Sequence, residues 1–431
     1  MIILKEQYGY KKPKPIDDIE DFAATLGNKS YNKSIQSGEN KAYCYSINYD
    51  ENDEHIYRFE TSYFVGVDWV VENKLPIHVH PKIDNEAQEI DFMNMLFSSF
   101  KEPQNYNHVD NLCEIYFNKP SIAIHQSQDL LTPFLLVQYL NVLKKIVQKG
   151  LKKSYYPVTK NLNAKVKGKI LVGDTIRKNH FKGKMVSSFC SYNEFGINNL
   201  ENKVLKKALV FSISAIKNLE GIDTSLLKNF TNYVNPIFSR VASDVNVKMI
   251  RNTKPSPLYK EYDIALKLAK TILKKYGFNI SNTNAEVIKT PPFWIDMSKL
   301  FELYVYSKLK ERFEEHNEVT YHKVFNYLEP DFIIKTKDGQ TKMVVDAKYK
   351  PQYKNDKIST DDIRQISGYA RLKKVYDFLE INKSSVIDCL VVYSDQNAVR
   401  DNFKRVNFQL ENEVEYNKFY KIGIKLPTKS N

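Results

Sequence analysis

The stretch Glu329-Pro330-Asp331-Phe332-Ile333-Ile334, followed by a polar connection from Lys335 to Lys342 and then Met343-Val344-Val345-Asp346-Ala347-Lys348-Tyr349, decides the reading of this chain. Both ends are apolar and β-branched, as strands are, and Asp338-Gly339 between them is a preferred two-residue type I′ hairpin turn. With the turn at 338 and 339, the numbers of facing residues sum to 677, which sets Asp331 directly opposite Asp346. Their Cα atoms would lie about 4.5 to 5.5 Å apart. Two carboxylates facing each other across a ladder repel, so the arrangement calls for a cation between them, and hard oxygen ligands select Mg²⁺ or a similar ion. Asp346 and Lys348 are two apart and share a strand face, which brings an ammonium beside that cation. Metal plus lysine suits phosphodiester hydrolysis. The metal lowers the pKa of bound water and neutralises phosphate charge, while the lysine holds the nucleophile or the developing oxyanion. The spacing [DE]-x-[KR] alone is weak, since 51 acidic and 64 basic residues in 431 give about seven or eight chance occurrences. An ordinary edge hairpin, with Lys348 paired to Asp346 or Glu329, fits the same letters.

Outward from this hairpin, 431 residues exceed what one hydrophobic core organises, so two or three domains are expected. The 14 glycines are less than half the usual share of about 7%. Together with the lack of G-x-x-x-x-G-K-[ST] and G-x-G-x-x-G, they argue against glycine-rich nucleotide loops. Cys44, Cys113, Cys190 and Cys389 are far apart with no C-x-x-C, which argues against a zinc knuckle, a redox pair or a disulfide framework. Four apolar residues, Met1 to Leu4, precede Lys5, too few for a signal h-region, and no run approaches about 18 apolar residues. A soluble, cytoplasmic protein with no membrane partner is expected. His78 and His80 would share a strand face, a spacing metals can use, but no third ligand type stands nearby in sequence.

The net charge of +13 is concentrated. Thirteen basic residues and one acid, Asp174, lie between Lys144 and Lys184. Such a surface releases condensed counterions from a nucleic acid. Lys144, Lys145 and Lys149 occupy the last turns of an expected helix, where cations complement the dipole. Lys165, Lys167 and Lys169, spaced by two on an expected strand, would share one face and are candidate phosphate contacts, with Arg177 and Lys178. Plain solvation of that surface is the competing reading.

Residues 1–110 read as a β-rich domain, with Ile56 to Phe59, Tyr63 to Val71 and Ile77 to Val79 as strand runs. Residues 111–285 read as a mixed helical and basic region. A helix starts at Thr132-Pro133 and stops at Gly150, strands run from Lys165 to Val172 and Val186 to Tyr192, a helix is capped by Asn198 with Glu201 three residues on, and a helix runs from Glu261 to Gly277. Residues 286–431 change to helix, strand, turn, strand, helix after Pro291-Pro292.

Pro330-Asp331 with Asp346-Ala347-Lys348 resembles the PD-(D/E)xK nuclease signature, and Gln365 with Tyr369 resembles the Gln-x-x-x-Tyr helix of its RecB-like branch. Asp296-Met297-Ser298-Lys299-Leu300-Phe301-Glu302-Leu303-Tyr304-Val305 resembles the D-M-x-x-L-F-E-x-[YF]-V element of McrC, the nuclease subunit of McrBC modification-dependent restriction systems. Gly150-Leu151 before Tyr155, Val166-Lys167-Gly168-Lys169-Ile170, Tyr192-Asn193-Glu194-Phe195 and Glu201-Asn202-Lys203-Val204-Leu205 are similar to it as well. Val65-Gly66-Val67 and Pro81-Lys82 fit less specifically. The resemblance implies Asp331, Asp346 and Glu302 as Mg²⁺ ligands and Lys348 as the catalytic lysine. It implies that Gln365 orients the water or the DNA backbone, and that Tyr369 supports the helix. It further implies a partner, an McrB-like AAA+ GTPase hexamer whose hydrolysis the McrC side stimulates.

The resulting expectation is an α+β multidomain protein. It has a β-rich N-terminal domain that docks the partner and is separable from the rest, a basic middle region, and a C-terminal α/β PD-(D/E)xK nuclease domain that cleaves double-stranded DNA. Two rivals stay open: a DNA-binding adaptor and NTPase activator with an idle nuclease fold, and a stand-alone RecB-like repair nuclease.

Overall fold

The computed structural model describes residues 1–16, 19–37, 40–51, 56–81, 90–99, 102, 104–105, 108, 112–125, 131–217, 225–244, 259–279, 287–313, 315, 317–349, 358–396, 411–412 and 415–428. Lys82 lies outside them. In chain order the elements are β1 (Ile2–Lys5), α1 (Glu20–Leu26), β2 (Tyr31–Ser37), β3 (Asn40–Asp50), β4 (Ile56–Thr61), β5 (Phe64–Val71), β6 (Leu75–His80), α2 (Phe92–Ser99), β7 (Cys113–Ile115), β8 (Ile122–His125), α3 (Leu131–Lys149), β9 (Ser154–Asn163), β10 (Lys169–Ile170), α4 (Val172–Lys178), β11 (Ser187–Gly196), α5 (Leu200–Lys217), α6 (Ser225–Phe238), α7 (Lys260–Asn279), β12 (Val287–Thr290), β13 (Phe293–Asp296), α8 (Met297–Arg312), β14 (Val319–Tyr321), β15 (Phe332–Lys335), β16 (Lys342–Lys348), α9 (Thr360–Ala370), α10 (Lys373–Leu379), β17 (Asp388–Ser394), β18 (Glu411–Asn412) and β19 (Phe419–Ile424). The fold is mixed α and β with several sheets. Among the described residues no helix is long and apolar enough to cross a membrane.

The chain divides into two compact units, one of residues 1–134 with 286–431 and the other of residues 135–285. In the first unit, a five-stranded sheet runs in the order β1-β6-β5-β13-β7, so a strand from residues 293–296 is inserted between two from the first 115. Gly66 makes this pairing possible. Its φ is +155°, and a Cβ there would collide with the Phe293 carbonyl of the adjacent strand. Buried Asp68 fixes the same junction, accepting from Trp294 Nε1 at 3.2 Å and from Lys119 Nζ at 2.8 Å. An N-terminal domain ending at 110 was expected to stand free of residues 286–431. The structure instead interleaves the two segments: α2 packs on α8, Asn105 Nδ2 donates to the Leu303 carbonyl at 3.0 Å, and Tyr349 Oη donates to buried Glu6 at 2.7 Å. The antiparallel pair β8–β12, with His125 facing Val287, clasps the chain where it leaves this unit and returns.

The candidate site stands on the second large sheet of this unit, ordered β14-β15-β16-β17-β19-β18. Its first three strands are antiparallel, and β16, β17 and β19 are parallel. Ile333, Val344, Val391 and Tyr393 pack against Ile363, Ile366 and Ala370 of α9 and Val375 and Leu379 of α10. Tyr306 of α8 stacks on Phe332 at 5.9 Å. Strands covered in this way read as near-continuous apolar runs.

In the second unit, β9 and β11 pair over their whole length with β10 at the edge, and α5 packs on α7, with Leu205 and Ala208 buried on α5 and Leu266 and Ala269 buried on α7. Three local expectations change here. The strand expected over Lys165 to Val172 shrinks to Lys169–Ile170, because Ala164 (φ 51°) and Gly168 (φ 67°) turn the backbone and Val172 begins a helix. The cap of α5 is Asn199, whose Oδ1 accepts from the Asn202 N–H at 3.0 Å, while Asn198 Oδ1 accepts from Ala242 N–H. α3, expected with Thr132 as its N-cap and Pro133 as its first residue, starts instead at Leu131, within the first unit.

Candidate active site

The β15–β16 hairpin has the register in which facing residue numbers sum to 677: Phe332 faces Val345 and Lys335 faces Lys342. Its tip is wider than a two-residue type I′ turn. The Thr336 N–H donates to the Thr341 carbonyl at 3.0 Å, and Gly339 N–H to Thr336 at 3.0 Å. Gly339 is left-handed and Asp338 is not. Asp338 instead bonds the Thr336 hydroxyl and the Gln340 N–H, the local bonding that draws Asp into turns. The register survives because the wider tip is still centred between 338 and 339, with Thr336 bonded to Thr341.

β15 begins at Phe332, so the ladder stops one residue short of Asp331. There the side chain takes over: Asp331 Oδ2 accepts from the Ala347 N–H at 2.7 Å. Asp346 is fully buried on β16. Its Oδ2 lies 2.6 Å from Lys348 Nζ, and its Oδ1 has no hydrogen-bond partner among the described residues. Lys348 Nζ also donates to Gln365 Oε1 at 2.8 Å and stands 4.0 Å from Asp362. Gln365 Nε2 in turn donates to Tyr369 Oη at 3.0 Å, one turn along α9. Ser359 caps that helix by accepting from Asp362 N–H, which sets the phase that points Gln365 at Lys348.

Glu302 comes from α8, whose N-cap Asp296 accepts from Lys299 N–H at 3.0 Å. Its carboxylate receives the Tyr321 hydroxyl at 3.2 Å and lies 3.1 Å from His322 Nε2, while His322 Nδ1 lies 3.3 Å from Glu329. Glu302, His322 and Asp331 each offer a ligand atom, and the three atoms lie within 4.8 Å of one another. His322 was not singled out from the sequence. It is brought there by register: Tyr321 faces Phe332, so the residue after the end of β14 reaches Asp331, whose carbonyl accepts the His322 N–H at 3.0 Å.

Burial, the facing Asp346 and nearby Glu302 push the Asp331 carboxyl well above the usual range. Burial also raises Asp346, against the pull of Lys348. Burial disfavours the Lys348 ammonium, yet Asp346, Asp331 and Asp362 together hold it above its ordinary value. For His322 burial again opposes charge, and the bond to Glu302 with the charges of Glu302 and Glu329 outweighs it. Carboxyls that resist ionising, with one buried oxygen unpartnered, are what a cation would relieve. Carboxylate oxygens with one imidazole suit Mg²⁺ or Mn²⁺ rather than a thiophilic metal.

Asp331, Asp346, Lys348, Glu302 and Gln365 therefore converge. The five candidate DNA contacts lie in the other unit. Lys165, Lys167 and Lys169 are exposed, without a shared strand face, and Lys167 Nζ lies 4.2 Å over the Tyr192 ring. Arg177 and Lys178 both pair with Asp174, at 2.9 and 3.2 Å. His78 is buried with neither ring nitrogen hydrogen-bonded among the described residues, its ring 3.8 Å from that of His80.

No curated protein matches this chain. Among solved structures, a refined half-complex from a tetradecameric assembly of Thermococcus gammatolerans McrB AAA+ hexamers with bound McrC is similar over 98% of this chain and 94% of that one, at 15% identity and a TM-score of 0.38. The cryo-EM structure of the Thermococcus gammatolerans McrBC complex is similar over 74% and 89%, at 15% identity and a TM-score of 0.26. Residues 61–378 match the family model described as the McrBC 5-methylcytosine restriction system component, and the chain belongs to that family.

Proposed function

We propose that this chain is the endonuclease subunit of a McrBC-like restriction system. It would cleave double-stranded DNA with Mg²⁺ when activated by an McrB-like AAA+ GTPase hexamer, whose hydrolysis it stimulates. The observation that carries this reading is the convergence of Asp331, Asp346 and Lys348 on one hairpin, with the buried Asp346 Oδ1 unpartnered among the described residues. Residues 286–431 supply what a PD-(D/E)xK domain needs: an antiparallel hairpin continued by parallel strands, with helices α8 and α9 packed against it.

Asp331, Asp346 and Glu302 would hold the metal, with His322 within reach as a further ligand. When bound, the ion supplies an activated water and neutralises phosphate charge. The chain's own residues do the rest. Lys348, oriented by Gln365, offers its ammonium to the nucleophile or the developing oxyanion. The Ala347 N–H fixes Asp331, so that the acid does not have to reorganise during the reaction. Gln365 keeps an amide N–H on Tyr369 and holds the lysine in one rotamer. Lys165, Lys167 and Lys169, with Arg177 and Lys178, would contact phosphates of the duplex.

The deciding experiment is Mg²⁺-dependent cleavage of duplex DNA by the chain with its AAA+ partner and GTP, compared with the Asp346→Ala protein. Cleavage should vanish while stimulation of the partner's hydrolysis persists. Equal cutting by the variant would refute the site. Robust cutting without partner or nucleotide would favour the stand-alone nuclease.

A further inference from the structure

Between His322 and Asp331 the chain leaves the sheet edge, forms a small hairpin of its own and returns. Phe325 and Leu328 exchange both backbone hydrogen bonds, at 2.7 and 2.9 Å, leaving Asn326 (φ 49°) and Tyr327 (φ 67°) as the turn. Positive φ at both central positions marks a type I′ turn, whose second place belongs by preference to glycine. Here it holds a bulky aromatic residue in a backbone region that Cβ sterics disfavour.

Among the described residues Tyr327 gains nothing for that strain. It is 100% exposed, and Val324 and Leu328 beside it are 63% and 42% exposed. The base, by contrast, is fixed. Phe325 is buried among Ile333, Val344 and Ile363, its ring edge-on to Phe378, and Lys323 Nζ sits 3.6 Å over the Phe378 ring. A rigid foot with a bare, strained aromatic tip is an outlier from which function can be inferred.

Its location narrows the occupant. Tyr327 is four residues from Asp331, so its Cα lies within about 14 Å of the Asp331 Cα, roughly four base-pair steps along a duplex. Val324-Phe325-Asn326-Tyr327-Leu328 carries no charge, so the tip does not suit phosphate. An aromatic face with apolar neighbours suits the face of a nucleobase, as a stacking platform or wedge. We propose that the 325–328 hairpin enters the DNA beside the phosphate to be cut and stacks Tyr327 on a base there. This rests on the nuclease reading above.

The test uses the full chain, alone and with its AAA+ partner, and a fluorescein-labelled duplex, with Ca²⁺ replacing Mg²⁺ during binding. Tyr327→Gly should melt at or above the wild-type temperature, because it relieves the left-handed strain, yet bind the duplex about 5- to 160-fold more weakly, the range for losing one stacked base. Tyr327→Phe should bind like wild type, and the new indole in Tyr327→Trp should be quenched by saturating duplex. Wild-type affinity in Tyr327→Gly, or unchanged indole emission, overturns the proposal. So does a Tyr327→Gly protein that keeps duplex affinity but no longer stimulates the partner, which would make the tip a protein contact. If wild type cuts with Mg²⁺ and Tyr327→Gly binds and cuts equally, the hairpin inference alone fails. If wild type neither binds nor cuts in either setting, the nuclease reading fails with it.

Discussion

Lys348 and the lysines between 144 and 184 carry the same charge into opposite surroundings. Lys348 has a side chain only 15% exposed, an ion pair to a buried aspartate and a hydrogen bond that fixes its rotamer. Lys165 and Lys167 stand in solvent on an irregular segment and Lys169 at the exposed start of β10, and Arg177 and Lys178 share one acid. Two unit charges at about 4 Å attract by about 1 kcal/mol in bulk water and about 4 kcal/mol at the effective dielectric typical of protein sites. Salt screens the first kind of charge and barely reaches the second. The buried set should therefore behave as one device that fails when any member is lost, and the exposed set as a sum of small, salt-sensitive contributions.

The largest effect that would sharpen this contrast is on folding. Deleting residues 1–110 should unfold the buried site along with the first sheet, because β13, α8 and Tyr349 lose their partners. Replacing residues 135–285 with a short Gly/Ser linker should leave the first unit folded across the β8–β12 clasp. Circular dichroism and limited proteolysis of both variants check this, and a folded C-terminal part after the N-terminal deletion would break it. Next comes chemistry. Asp331→Ala, Asp346→Ala and Lys348→Ala should each reduce cleavage by well over ~10²-fold, with the double variants little worse than the single ones, as read by single-turnover cutting with the partner present.

A smaller effect concerns pH. Asp331 and Asp346 titrate above the ordinary carboxyl value in the fold. Stability from this pair is thus full below about pH 4 and is lost as pH rises through the raised folded values. Metal-free wild type should melt progressively lower across that rise, the Asp331→Asn, Asp346→Asn double variant should not, and Mg²⁺ should restore the wild type alone. Asp296, raised to about 6 by burial, has the same sign between about pH 4 and 6. Asn caps helices as well as Asp does, so Asp296→Asn should flatten that portion in a thermal-melt series. The smallest effect belongs to the exposed set. Neutralising Lys165, Lys167 and Lys169 together should flatten the slope of log K against log salt by up to about 0.9 per lost phosphate contact. The Arg177 and Lys178 changes should do less, since Asp174 already offsets them. An unchanged slope would remove these residues from any DNA surface.

The two regions also differ in how much of them the sequence made legible. The register of the β15–β16 hairpin could be read because Asp338-Gly339 marks its midpoint, and the tip, though wider than a two-residue turn, stays centred there. Lys348 could be placed by strand periodicity, and Gln365 through the resemblance of Gln365 with Tyr369 to the Gln-x-x-x-Tyr helix. The Lys165–Lys169 strand could not be, because alternating Lys and small residues look extended while Ala164 and Gly168 take left-handed backbone. Asn199 rather than Asn198 caps α5 because either can cap locally, and the bond from Asn199 Nδ2 to the Lys152 carbonyl comes from the fold. His322 escaped because β14 is only three residues long, below the length at which alternation is visible. The insertion of β13 into the first sheet is a pairing between distant segments, which no local pattern encodes.

That insertion has a consequence for synthesis on the ribosome. Trp294 follows Asp68 by 226 residues, about 10 to 45 seconds of elongation. Throughout that interval Phe64–Val71 has emerged with one edge lacking its neighbour, an apolar row open to wrong partners. The nascent chain therefore has reason to be shielded by a chaperone. A chain stopped before Asp296 would present a sticky half-sheet rather than a smaller working version of this protein.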